Sequence, residues 1–249
     1  MSGHNKWAKI KRKKGVADAK RGQLFTRLTK EMTIAARAGG GNPQGNPRLR
    51  LAIEKAQAAN MPADNIKRAI QRGTGELPGI MYEEVTYEGY GPGGVALILE
   101  SVTDNKNRTV SEIRHILERN SGKLGAANSV AWTFHRKGII HVARANYNED
   151  DLLNIILEAS ADDMRTDEES YEIVTAPENF HAVTQALTAK GIKMEDSEVQ
   201  LIPQNTVKVE GKEAEQVLKL IEALEEHEDV QHVYANFDID EKVMAALNV

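Results

Sequence analysis

Residues 137–203, KGIIHVARANYNEDDLLNIILEASADDMRTDEESYEIVTAPENFHAVTQALTAKGIKMEDSEVQLIP, decide the fold. Short runs of β-branched and aromatic residues alternate with stretches of helical period, and glycine, proline and acidic turns separate them. The segment reads as a strand at 138–142, a helix at 149–161, strands at 163–166 and 171–174, a helix at 177–189 and a strand at 192–201. That order, β-α-β-β-α-β, is a complete ferredoxin-like unit.

Outward from it, a second unit of the same kind lies in two pieces. A strand at 95–102, a helix capped by Thr103 or Asp104 and running to Asn120, and a strand at 129–135 supply one half. A strand at 206–209, a helix at 213–227 and a strand at 230–237 supply the other, with 82–88 as an extra edge strand. The expected class is therefore multidomain α+β. Its domains are a helical one at 1–75, a discontinuous ferredoxin-like one at 76–136 and 204–249, and an inserted ferredoxin-like one at 137–203. Two smaller lobes in simple series are the other arrangement the pattern allows.

Charge divides the chain at the same place as texture. The whole protein of 249 residues is acidic, with a formal net charge of −5, yet residues 1–75 hold 17 of its 32 Lys+Arg and carry a balance of +13. The remainder carries −18. A ligand meets one face at a time, so segregated charge says more about partners than the overall pI. A local excess of this size suits a polyanion, and cations spread over several elements suit phosphates better than base edges.

The basic region opens with an arm, residues 1–15, that holds Lys6, Lys9, Lys11, Arg12, Lys13 and Lys14 with only Trp7 and Ile10 as large apolar residues. It has too little to bury to order itself alone. Residues 16–38 then show helical period, with Leu24, Phe25, Leu28, Met32, Ala35 and Ala36 on one side. Lys20, Arg21, Arg27, Lys30 and Arg37 fall opposite or beside that stripe. Gly39, Gly40, Gly41, Asn42 and Pro43 end the helix and do not form a phosphate loop, because no Lys-Ser or Lys-Thr follows. A second helix at 47–59 displays Arg48 and Lys55, and a third, running to Arg72 after the turn Asn60-Met61-Pro62, displays Lys67, Arg68, Gln71 and Arg72. The pair is either a helix-turn-helix whose last helix reads a groove or a plain helical hairpin. Both leave basic residues outside.

Catalytic chemistry finds no foothold. There is no cysteine, so no disulfide, thiolate site or thiol nucleophile, which agrees with a reducing compartment. The seven histidines show no zinc-type spacing, and no serine sits in a Gly-x-Ser-x-Gly elbow. Asp104 to Arg108 begins like a calcium loop but lacks its glycine and glutamate, and the glycine-rich turn at 89–94 is followed by a strand where a dinucleotide site needs a helix. Glu158, Asp162, Asp163, Asp167, Glu168 and Glu169 cluster at a helix end and a hairpin, which makes them a solvated edge and not a magnesium site. Val130, Trp132 and Phe134 share one face of the 129–135 strand. Aromatics on a sheet can stack RNA bases, but the RNP signature is absent and the alternation assigns all three to a core. No metal, no cofactor, no small-molecule substrate and no enzyme activity are expected. No apolar run is long enough to span a membrane and no secretory h-region is present, so a cytoplasmic protein is expected.

These residues bring the chain close to a known family. It resembles the YebC/PmpR family, whose mitochondrial relative is a translational activator of cytochrome oxidase subunit I. The resemblance runs nearly end to end, through Gly3-His4-Asn5-Lys6-Trp7, Phe25-Thr26, Asn60-Met61-Pro62 with Ile66 to Gly73, Tyr87-Glu88-Gly89-Tyr90-Gly91-Pro92, Thr103-Asp104-Asn105-Lys106-Asn107-Arg108-Thr109, and Trp132 to Gly138. Asn5 stands where many relatives have serine. The resemblance implies a helical N-terminal domain with two α/β domains, a cytoplasmic location and no enzymatic residues. It also implies a role in gene expression, either as a DNA-binding transcriptional regulator or as a ribosome-associated factor that contacts ribosomal RNA and relieves stalling at proline runs. The N-terminal domain is the expected nucleic-acid-binding part, and a protein is a possible partner of the acidic domains.

Overall fold

The structure is a computed structural model that describes Trp7, residues 18–167 and 169–240, and Val243. From residue 18 on, the described N-terminal part is built of three helices: α1 (Asp18–Gly39), α2 (Pro47–Ala58) and α3 (Ala63–Thr74). α1 is the spine. Its Leu28, Met32, Ala35 and Ala36 are buried against Leu49, Ala52 and Ala56 of α2 and Ile66 and Ala69 of α3. Asn46 sets the corner between α1 and α2. Its Nδ2 donates to the carbonyls of Ala35 (2.7 Å) and Gly40 (2.9 Å), while its Oδ1 accepts from the Leu49 amide (3.1 Å), so one side chain stops α1 and caps α2. Pro47 then occupies the first turn, where no amide is missed.

α3 crosses α1 at Gly73. A Cβ there would sit 2.4 Å from the Thr33 carbonyl oxygen and 2.7 Å from the Ala36 Cβ. The crossing distance leaves room for hydrogen only. Gly73→Ala is expected to destabilise the helical part by about 1–3 kcal/mol through overpacking, read as a lower midpoint in urea; an unchanged midpoint would show that the two helices separate freely.

Two antiparallel sheets follow. The first has the order β3-β1-β2-β9, built from β1 (Glu83–Tyr90), β2 (Ala96–Thr103), β3 (Lys123–Leu124) and β9 (Val230–Ala235). Helices α4 (Lys106–Arg119) and α7 (Gly211–Glu225) cover one face. Leu97, Leu99, Ile113, Leu117, Leu218, Ile221 and Val233 form that core, which also takes in Trp7 at 1% exposure. The second has the order β5-β6-β4-β7, built from β4 (Phe134–Ala143), β5 (Asp163–Thr166), β6 (Ser170–Thr175) and β7 (Met194–Pro203). α5 (Glu149–Glu158) and α6 (Phe180–Ala189) pack Leu152, Ile156, Val183 and Leu187 onto Ile140, Val142, Tyr171 and Ile173. This is the ferredoxin-like unit that 137–203 announces, and in the chain it stands between the two halves of the first sheet. The short strands β8 (Val207–Lys208) and β10 (Phe237–Asp238) pair in parallel apart from both.

Four local expectations need correction. The strand at 206–209, expected as the third strand of the split ferredoxin-like unit, stands outside the first sheet as β8, paired with β10. The strand at 82–88 is not an extra edge: β1 lies inside its sheet, between β3 and β2, in the place that the third strand of a ferredoxin-like unit would take. The strand expected at 129–135 does not form. Ala131–Thr133 is a single 3-10 turn, and the strand that begins at Phe134 runs unbroken across residues 136 and 137 as β4, paired with β7 from Phe134↔Pro203 onward. The cause is Glu88, whose buried carboxylate accepts the amides of Asn128 (2.6 Å), Val130 (2.7 Å) and Ala131 (2.9 Å) and so bends the backbone away from a ladder. Finally, α4 is capped by neither Thr103 nor Asp104 but by Asn105, whose Oδ1 accepts from the Arg108 amide at 3.1 Å.

Candidate nucleic-acid interface

The basic residues of the helical part divide into two sets. One set faces the acidic body and is consumed there. Lys30 is 5% exposed; its Nζ lies 2.5 Å from Oδ1 of Asp229 and donates to the Glu228 carbonyl at 3.0 Å. Arg27 donates to the His227 carbonyl at 3.3 Å. Arg48 bridges Glu31 (2.7 Å) and Glu84 (2.6 Å), which holds its guanidinium well above its ordinary value. Lys55 lies 2.5 Å from Glu198 on β7. The charge segregation in the sequence is thus partly spent inside the molecule, binding helices to sheets.

Asp229 is the centre of that junction. It is fully buried, and besides Lys30 it accepts from Arg108 (2.8 Å) and from the Thr109 hydroxyl (2.7 Å). Burial alone would push its carboxyl up, but the hydrogen bonds of Lys30, Arg108 and Thr109 outweigh it and hold the group far below the usual carboxylate range. Glu112, His227 and Asp229 bring ligand-type atoms within 4.8 Å of one another, yet the arrangement does not suit a metal ion. The His227 Nδ1 accepts from the Asp229 amide, its Nε2 faces Glu112 at 2.9 Å, and two cationic side chains already occupy the Asp229 oxygens. Of the acids at 158–169, Asp162 pairs with Lys137 and Asp163 with Arg165, while Asp167 accepts backbone amides of its own turn.

The second set faces outward. α3 buries Ile66, Ala69 and Gly73, so its opposite face carries Asp64, Lys67, Arg68 and Arg72, all exposed, with Gln71 half-buried beside them. Lys67, Arg68 and Arg72 have no ion-pair partner among the described residues. The chain after α3 turns back beneath Arg72: a Cβ on Gly79 would lie 3.1–3.4 Å from the Arg72 side-chain carbons. Thr29, Thr33, Arg72, Ile80 and Tyr82 line an open groove of about 400 Å³ there. Arg37 stands at the rim, exposed, with Nη1 donating to the Tyr82 carbonyl at 3.0 Å. Arg21 is exposed too, and Lys20 lies in the first turn of α1. Lys6, Lys9, Lys11, Arg12, Lys13 and Lys14 lie outside the described residues.

Family comparison decides what this arrangement is related to. Residues 5–76 match the model of the TACO1/YebC protein N-terminal domain, and residues 82–237 match that of the TACO1/YebC second and third domain. The chain belongs to the TACO1/YebC family. Relatives within it are similar over their whole length. A probable transcriptional regulatory protein of Acidobacterium capsulatum is 58% identical over 241 residues, 97% of this chain and 98% of its own. One of Dictyoglomus turgidum is 55% identical over 249 residues, covering both chains completely. The crystal structure of a conserved hypothetical protein from Aquifex aeolicus superposes with a TM-score of 0.81 at 47% identity, over 90% of this chain and 92% of that one. The three-part α+β architecture is therefore a TACO1/YebC architecture. Among the described residues no helix is long and apolar enough to cross a membrane.

Proposed function

We propose that this TACO1/YebC chain is a non-enzymatic, DNA-binding regulator of transcription, and that α3 is the element that meets the DNA. The observation that carries the reading is the outward stripe Lys67, Arg68 and Arg72: three cations on one helix face, unpaired among the described residues, in a molecule that neutralises Lys30, Arg48 and Lys55 internally. Arg37 and Arg21 extend the positive edge, and the arm residues Lys6, Lys9, Lys11, Arg12, Lys13 and Lys14, with Lys20, are proposed to add phosphate contacts. Asn65 on α3, exposed, supplies an amide able to address an adenine edge in a major groove, whereas the Gln71 amide donates to Glu76 at 3.4 Å. The names carried by the relatives, probable transcriptional regulatory proteins, support the same reading. The acidic sheets are proposed to engage a protein as well.

The test is competition at physiological salt. A promoter fragment recovered with the protein from cells should displace it from bulk DNA, because specific sites typically hold such proteins about 10³-fold or more tighter than random sequence. Equal competition by promoter and bulk DNA would remove operator-specific control. Recovery with ribosomal particles after DNase treatment would move the proposal from DNA to ribosomal RNA.

A further inference from the structure

Trp132 does not pack where strand alternation would put it. It is 70% exposed, whereas Trp7, the only other tryptophan in the sequence, is 1% exposed. A bare indole gives up the free energy its burial would supply, and the loop beneath it is costly as well. The Glu88 carboxylate, 7% exposed, is taken out of water to hold the amides of Asn128, Val130 and Ala131. From the other side Gln204 donates its backbone amide to the Thr133 carbonyl (2.8 Å) and its side-chain amide to the Trp132 carbonyl (3.3 Å). The indole Nε1 donates to the Ser129 carbonyl at 3.2 Å, and that same oxygen accepts the Tyr90 hydroxyl at 3.2 Å. The polar atom of the ring is thereby satisfied inside the loop. What remains outward is a flat aromatic face on a fixed mount.

A cation is linked to it through Tyr90. Lys123 is exposed, has no carboxylate partner among the described residues, and places its ammonium 5.4 Å from the centre of the Tyr90 ring, whose hydroxyl is tied to the Trp132 loop. A rigid aromatic face beside a cation is what an unpaired base and its phosphate require, since stacking accepts any base and the cation tracks the backbone. We propose that Trp132 is a stacking platform for one unpaired nucleobase, with Lys123 meeting the adjoining phosphate. The proposal rests on the reading of the chain as a nucleic-acid-binding protein and adds to it a site on the α/β part, for a base out of its duplex.

With two tryptophans, one of them buried, the protein reports on this site by its own emission. Twelve-nucleotide oligothymidylate and oligouridylate, and a blunt duplex of the same length, are titrated into the full chain at low salt. Fluorescence and filter retention are followed together. The single strands should quench the emission and the duplex should not; the stronger of the two quenchers tells whether a DNA or an RNA base is preferred. Trp132→Leu should abolish the quenching and weaken single-strand retention about 5- to 100-fold, while Trp132→Phe keeps most of the affinity. If the single strands are retained equally by the parent and Trp132→Leu and leave the parent emission unchanged, the platform is overturned and the phosphate-binding role of α3 stands. If neither strand form is retained at all, the nucleic-acid reading falls and the platform falls with it.

Discussion

Asp229→Asn is expected to lower the melting temperature by on the order of 10 °C. The change is nearly isosteric, so packing is preserved and the effect reports the lost charge together with the one acceptor oxygen that the amide nitrogen replaces. In the parent protein the carboxylate receives Lys30 from α1 and Arg108 and Thr109 from α4, and it ends the turn between α7 and β9. Removing one charge of a buried pair strands the other, which costs about 3–5 kcal/mol. For a chain of this size each kcal/mol corresponds to about 2–4 °C. Lys30 bears the larger share because it is 5% exposed, whereas Arg108 keeps access to water and to Asp104 at 2.9 Å. Lys30→Met should destabilise by a comparable amount, and the double variant should recover part of the loss, since it leaves no uncompensated charge at the junction. Thermal unfolding of the four proteins measures this directly. Strict additivity of the two single changes would show that Lys30 and Asp229 do not act as a pair.

The same carboxyl fixes the sign of an acid effect. Its value is depressed in the folded protein, so between the unfolded value, near 4, and the much lower folded one the unfolded chain binds more protons. The stabilisation is complete above about pH 4 and drains away as pH falls further. Melting temperatures of the parent should consequently drop more steeply between about pH 5 and 3 than those of Asp229→Asn, and parallel curves would place the acid sensitivity elsewhere.

How far the sequence discloses this molecule depends on the reach of the interactions involved. The ferredoxin-like unit is legible because each of its elements is signalled locally, by alternation, by helical period and by turn residues. The outward stripe of α3 is legible for the same reason: Ile66, Ala69 and Gly73 define one side and leave Lys67, Arg68 and Arg72 on the other. Lys30 is misjudged on those grounds. Its place beside the apolar stripe of α1 looks like an exposed flank, and only Asp229, 199 positions further on, turns that flank into an interface. Trp132 fails similarly, since alternation with Val130 and Phe134 spells a strand until Glu88, some forty residues upstream, claims the amides of the loop. The available hint was compositional: a strongly basic segment followed by a strongly acidic one invites internal pairing as well as an external polyanion.

That ambiguity makes charge reversal on α3 the sharpest test of function. Lys67→Glu, Arg68→Glu and Arg72→Glu together alter exposed positions outside the packed face, so the fold should survive with stability changed by little more than about 0.5 kcal/mol at Lys67 and Arg68 and by somewhat more at Arg72, whose stem lies against Gly79. If each side chain neutralises one DNA phosphate, each contributes about 0.9 to the slope of log K against log salt. Losing three such contacts near 0.1 M salt should then weaken DNA binding by on the order of 10²- to 10³-fold, and the slope should fall by about three units. Lys55→Met is the matched control. Its partner is Glu198 within the same chain, the pair is partly exposed, and its loss should shift stability by less than about 1 kcal/mol while leaving the salt slope alone. Binding measured by titration across a salt series separates the two cases, because a contact to phosphate changes the slope and an internal ion pair does not. An unchanged slope in the triple variant would mean that α3 faces solvent and nothing else.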